Sequence, residues 1–230
     1  MAKRKLKAQA FRGFSPAAFR FLAELAENNE RAWFTENKGR YEALWKEPLE
    51  AFLEDAEPSF GAGKVFRVHR DVRFSKDKRP YKTHASVVME AKGIVHYLHL
   101  EADHAFVATG IHDMAKDQCK RLREGVDDGR TGPALVRIVD RLEAAGFEIG
   151  GEALKTAPRG YAKDHPRVRF LRHKGLTASK TWRWKKRPPA WIVQSDALER
   201  IAETWAEARK MNAWLAEQVG PSEEGTRWVQ

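Results

Sequence analysis

Apolar positions along this chain change their spacing twice, from steps of three and four to steps of two and back again. Phe19, Leu22 and Leu25 recur at helical spacing behind Ser15-Pro16, an N-cap residue followed by proline at the first helical position. This predicts a first helix from about Pro16 to Glu27. Trp33, Phe34, Tyr41, Leu44, Trp45, Leu49, Phe52 and Leu53 mark a second helical region, bent or broken near Pro48, and Glu57 to Gly63 reads as a turn. The period then drops to two. Phe66, Val68, Val72 and Phe74 alternate with Arg67, His69, Asp71 and Arg73, which predicts a strand with one apolar face and one charged row.

Further strands are expected at Ala85 to Glu90, Ile94 to Glu101 and Ala105 to Thr109. Their connections are too short for parallel crossovers, so neighbours must be antiparallel. Helical spacing returns at Ala115, Cys119 and Leu122, and again at Leu135, Ile138, Val139 and Leu142 after Gly132-Pro133. Residues 146–189 are irregular and basic. Leu198, Ile201, Trp205, Ala208, Asn212, Leu215 and Val219 then predict one long amphipathic helix. Helices, strands, then helices give an α+β fold: an antiparallel meander sheet packed with amino-terminal and carboxy-terminal helices. A single domain over residues 14–219 is expected, between a basic tail (1–13) and a short tail (220–230).

Composition narrows the class. With 42% hydrophobic residues, eight Trp and twelve Phe, the chain has ample material for a core. No run approaches the roughly 18 apolar residues of a spanning helix. Met1 to Ala10 is basic without an apolar stretch, unlike a secretory signal, so cytoplasmic localisation and no membrane partner are expected. Cys119 is the one cysteine, which excludes an intrachain disulfide and any multi-cysteine metal site. It shares an apolar helix face with Ala115 and Leu122 and reads as a small core residue. A net charge of +10 draws anions of any kind, from nucleic acid to phosphorylated metabolites.

Candidate chemistry concentrates between Arg70 and His84. Arg70, Arg73, Lys76, Lys78 and Lys82 are cations suited to an anion, Ser75 and Tyr81 can hydrogen-bond to it, and Asp77 adds a second carboxylate. Asp71 and His84 are the candidate catalytic groups, able to orient a ligand or transfer protons. A second basic cluster, Pro158 to Lys174, offers Arg159 and His165 on turns that would deliver them to the same polar face. Trp182 and Trp184 interleave with cations as in single-strand nucleic-acid binders. No metal site or cofactor is expected. His96 and His99 point to opposite faces of a strand, and no carboxylate spacing completes a set of ligands with His104 or His112.

The run from Arg70 to His84, RDVRFSKDKRPYKTH, resembles the signature of a bacterial family called domain of unknown function 2461. Phe21-Leu22 with Asn28-Asn29 and Trp33-Phe34 resembles that family's amino-terminal block, and Pro158-Arg159-Gly160-Tyr161 with Asp164-His165-Pro166 a later one. The resemblance spans about Phe14 to Trp214 and departs after Gly110, where Ile111-His112-Asp113-Met114 stand. It implies kinship without an activity, a cofactor or assigned catalytic residues. The expected function is binding of an anionic small ligand, phosphorylated or carboxylated, with catalysis left open. The alternatives are nucleic-acid binding through the basic and aromatic segments, and docking of an acidic protein partner.

Overall fold

The computed structural model describes residues 10–73 and 76–223. Its helices are α1 (Pro16–Glu27), α2 (Arg31–Tyr41), α3 (Glu47–Phe60), α4 (Lys116–Asp127), α5 (Thr131–Ala144), α6 (Val168–Leu171), α7 (Ala197–Glu207) and α8 (Arg209–Gln218). Its strands are β1 (Ala62–Val65), β2 (Ala85–Ala91), β3 (Ile94–Leu100), β4 (His104–Ile111), β5 (Glu148–Glu152) and β6 (His173–Arg183), in the sheet order β1-β2-β3-β4-β6-β5. The fold is α+β. Strands β2, β3 and β4 form the expected meander; β1 was not expected, since it begins inside the stretch read as a turn, into which α3 also runs as far as Phe60, and β6 follows β5 in sequence but lies between it and β4. No helix among the described residues is long and apolar enough to cross a membrane.

Two compact units are distinguished. One takes the chain up to Met89 together with Tyr97–Phe106 and Thr181–Glu203; the other takes Glu90–His96, Val107–Lys180 and the chain from Thr204 onward. In the first, Ser15 Oγ accepts the Ala17 N–H at 3.2 Å and starts α1 as its sequence requires. The bend expected near Pro48 is a single π-helical turn, Glu42–Lys46, joining α2 to α3. Pro48 has no N–H to give to the Leu44 carbonyl and its ring would press on it. A locally wider turn, with the Glu47 N–H bonded to Glu42 O, relieves that conflict without ending the helical path. Phe14, Phe21, Leu22, Leu25, Trp45, Leu49 and Phe52 are fully buried in this unit, and Trp45 Nε1 donates to Ala18 O at 3.0 Å.

In the second unit, Leu122 and Val126 of α4, Leu135 and Val139 of α5, and Met211 and Leu215 of α8 form the core with Leu171 and Leu176. Cys119 is buried there as expected, and burial pushes its thiol pKa up. The long carboxy-terminal helix is interrupted at Ala208 (φ −84°, ψ 6°), between α7 and α8. Strands β5 and β6 fall inside the stretch that reads as irregular. They pair antiparallel, Glu148 opposite Ser179 and Ile149 opposite Ala178, with a shift of register between Gly150 and Glu152. Gly151, at φ +98°, sits at that irregularity, and glycines and lysines dilute the apolar alternation that would announce both strands.

Candidate functional site

The expected strand is not formed over residues 66–73, since β1 ends at Val65, and Phe74 lies outside the described residues. Residues 66–70 instead run antiparallel to residues 80–86 through scattered bonds. The Phe66 N–H donates to Ser86 O (2.9 Å), the Lys82 N–H to Val68 O (2.8 Å) and the Arg70 N–H to Pro80 O (2.8 Å), and His69 and Tyr81 form an isolated bridge. Alternation survives only this far: Val68 is buried while Arg67 and His69 are exposed.

Beyond Arg70 the carboxylates take over the backbone. Asp71 accepts the Arg73 N–H at 3.2 Å and the Arg73 guanidinium at 3.0 and 2.7 Å. Asp77 repeats the arrangement on Arg79, with bonds of 3.1, 3.0 and 2.7 Å. An Asp that captures the backbone two residues on makes a turn, not a ladder. The Asp-x-Arg repeat that mimics a strand's polar row is therefore a pair of local turns. Both carboxyls are held below their usual range by the Arg73 and Arg79 hydrogen bonds, Asp71 at about 2. Arg70, with its side chain 25% exposed, pairs with Asp77 at 2.7 Å, and its buried Nε meets no acceptor among the described residues. Lys78 Nζ donates to Val72 O at 3.0 Å and draws the loop together, Lys76 is exposed, and Ser75 lies outside the described residues.

Tyr81, expected at the ligand, is 6% exposed, its ring stacked on Phe34 at 4.0 Å. The chain leaves Tyr81 through Lys82 and His84 into β2, and these two side chains open a group that sequence reasoning missed. On β3, Leu98 and Leu100 are buried while Tyr97 and His99, like Glu101 directly after the strand, are half-exposed. The His84 and His99 rings lie 4.3 Å apart, His99 Nε2 is 2.9 Å from Glu101 Oε1, and Tyr97 Oη is 3.1 Å from His99 Nδ1. His104 Nδ1 donates to Asp103 Oδ1 at 2.7 Å, leaving its Nε2 4.0 Å from Glu101 Oε1. Trp184 holds this turn, its backbone N–H on Asp103 O (2.9 Å) and its indole N–H on Ala102 O (2.8 Å).

The electrostatics of the group are uneven. Burial first, then the charges of His99, Lys82 and Arg70, push His84 down to about 4 against the pull of Glu101. Burial, then Arg67 and Arg70, lower Lys82, whose Nζ sits 5.3 Å from the centroid of the Phe66 ring. The His99 hydrogen bond holds Glu101 below its ordinary value. At neutral pH the group therefore presents a neutral His84 and an ionised Glu101 beside a desolvated cation. Ligand atoms of His84, His99 and Glu101 all lie within 4.8 Å of one another, as do those of Glu101, Asp103 and His104. His96 and His99 lie on opposite faces of β3, one buried and one half-exposed, and it is the pairing between strands that brings His84 to His99.

Arg159 and His165 belong to the second unit. Arg159 is exposed, while His165 accepts the Arg167 N–H at Nδ1 (3.1 Å) and donates from Nε2 to Asp127 (3.0 Å). Arg167 donates to the carbonyls of Val126 and Asp127 at 2.6 and 2.8 Å. Together they satisfy the end of α4, where unpaired carbonyls collect.

The fold and this group define an α+β protein that carries a histidine-carboxylate cluster and a cationic hairpin on an antiparallel sheet. The chain belongs to the family described as conserved hypothetical protein (DUF2461), which it matches over residues 17–214. No curated protein and no solved structure matches it.

Proposed function

We propose that this protein binds an anionic small ligand, phosphorylated or carboxylated, beside Arg67, Arg70 and Lys82. The observation that carries this reading is the state of Lys82. It is half-buried, lowered by desolvation and by two guanidinium neighbours, and it has no carboxylate at ion-pair distance among the described residues. Of the three cations, Arg70 shares Asp77 with Arg79. A cation cluster partly withdrawn from water without equal countercharge is stabilised by whatever anion enters it, and hydrogen bonds to a phosphate or carboxylate are the strong, charge-assisted kind.

Within this reading the loop cations Arg73, Lys76 and Lys78 extend the field toward solvent. Asp71 holds Arg73, and His84, neutral at physiological pH, is the proton-transfer group that any catalysis would use. Asp77 positions Arg70. Ser75 remains a hydrogen-bonding candidate of the loop, and Arg159 and His165 remain candidates of the second unit.

Calorimetric titration with inorganic phosphate, pyrophosphate, phosphomonoesters and dicarboxylates tests the proposal. Saturable binding at one site is expected, weakened ten-fold or more in Lys82→Ala, on the scale of one lost charge-assisted bond. If none of these anions binds beyond the effect of sodium chloride at equal ionic strength, the reading fails. Oligonucleotide binding that collapses steeply with salt would then favour the nucleic-acid alternative.

A further inference from the structure

We infer that His84, His99 and Glu101 form a site for a divalent transition-metal ion of the zinc class. Three donors converge, His84 from the segment leading into β2, His99 from β3 and Glu101 from the residue directly after β3, with all ligand atoms within 4.8 Å of one another. Metal bonds of about 2.0–2.2 Å put neighbouring ligands some 3–4 Å apart, so small side-chain movements close the set on an ion. Two imidazoles and one carboxylate suit zinc and its neighbours over magnesium or calcium, which take oxygen ligands. A three-residue set also leaves a coordination position open, as in catalytic rather than structural zinc sites.

The surrounding groups are those that orient ligating imidazoles. Metal-bound histidines are held through their second ring nitrogen by a hydrogen-bonding partner. Tyr97 Oη stands 3.1 Å from His99 Nδ1, so Nε2 is the nitrogen that faces Glu101. In the metal-free protein Nε2–H donates to the carboxylate and the Tyr97 hydroxyl donates to Nδ1. With an ion bound, the proton moves to Nδ1 and the hydroxyl becomes its acceptor, so no net charge is left behind. His104 is already set in the ligating tautomer, its Nδ1–H on Asp103 and its Nε2 facing Glu101 at 4.0 Å.

Charge permits the ion as well. Glu101 is one of the ligands, and Asp103, hydrogen-bonded to His104, adds a second carboxylate beside it. The opposing charges are Lys82 and Arg70, which shares Asp77 with Arg79. The two carboxylates attract a dication, and an anion on Lys82 would offset the nearby cations and strengthen its hold.

Titration of the metal-stripped full chain with Zn(II) and Co(II) tests the inference. One equivalent is expected to bind, with Co(II) giving the visible absorption bands of a protein-bound ion. Glu101→Gln and His84→Ala should each abolish this stoichiometric binding, Tyr97→Phe should weaken it by about 10-fold to 100-fold, and His112→Ala should leave it unchanged. Far-UV circular dichroism identifies any variant that fails to fold, and the isosteric Glu101→Gln decides where His84→Ala does not. Lys82→Ala separates this site from the anion reading, because it should weaken anion binding ten-fold or more and retain zinc. No saturable binding to the wild-type chain, or binding untouched by Glu101→Gln, overturns the inference. Binding lost in Asp103→Asn but kept in His84→Ala overturns this ligand set and moves the ion to Glu101, Asp103 and His104.

Discussion

Asn29 closes both backbone hydrogen bonds of Tyr81, its Nδ2 donating to the carbonyl and its Oδ1 accepting the N–H, each at 3.0 Å and across 52 residues of sequence. Two of the three motif blocks that carry the family resemblance thus meet at one buried amide. The clamp sets where Lys82 and His84 leave the hairpin. Asn29→Ala would strand two buried backbone groups and is expected to cost roughly 2–4 kcal/mol. Urea denaturation measures the loss, and a cost near zero would show that water replaces the amide.

His96 links stability to pH. It is buried against Trp205 with Thr109 Oγ1 at 3.0 Å from its Nδ1, Thr109 in turn accepting from Asn212, and burial holds it at about 4 instead of 6.5. Between those values the unfolded chain takes up a proton that the native chain refuses. The stabilisation is therefore complete above about pH 6.5 and is lost as pH falls toward 4. His96→Gln should flatten that window. It should leave the further decline below pH 4, where Asp71 and Asp117, both held at about 2, become protonated.

Gly110 on β4 has φ +134°, and a Cβ there would lie 2.2 Å from Leu176 O. Gly110→Ala combines a backbone conformation that L-residues avoid with a clash against main chain, which cannot rotate away. A loss of about 3 kcal/mol or more is expected, read as a fall in melting temperature or failure to fold.

Cys119 should behave as a buried thiol. Its Sγ contacts Met114 O at 3.6 Å, and burial raises its pKa. Reaction with a thiol-specific reagent should be slow in the native protein and become fast in denaturant. Rapid native labelling would mean that this region opens readily.

The helices were largely legible in the sequence because each buries one stripe, and a stripe needs only residues three and four apart. Pro16, Pro48 and the apolar steps around Leu22, Leu135 and Leu215 carry that information locally. The strands β2, β3 and β4 were legible for the same reason at a period of two. The segment after Val65 misled because Asp-x-Arg at a spacing of two satisfies either a strand's polar face or a turn, and only the Asp71 and Asp77 hydrogen bonds decide between them. Strands β5 and β6 hid behind Gly150, Gly151 and Gly175.

For the site, the sequence by itself determined which residues carry charge between Arg70 and His84, and that Tyr97, His99 and Glu101 share a face of their strand. Only the tertiary structure decided that His84 lies against His99 and that Tyr81 is buried beneath Asn29. Strand register and long-range hydrogen bonds set those neighbours. Neither is written in the spacing of any one segment, because each depends on where a distant segment pairs.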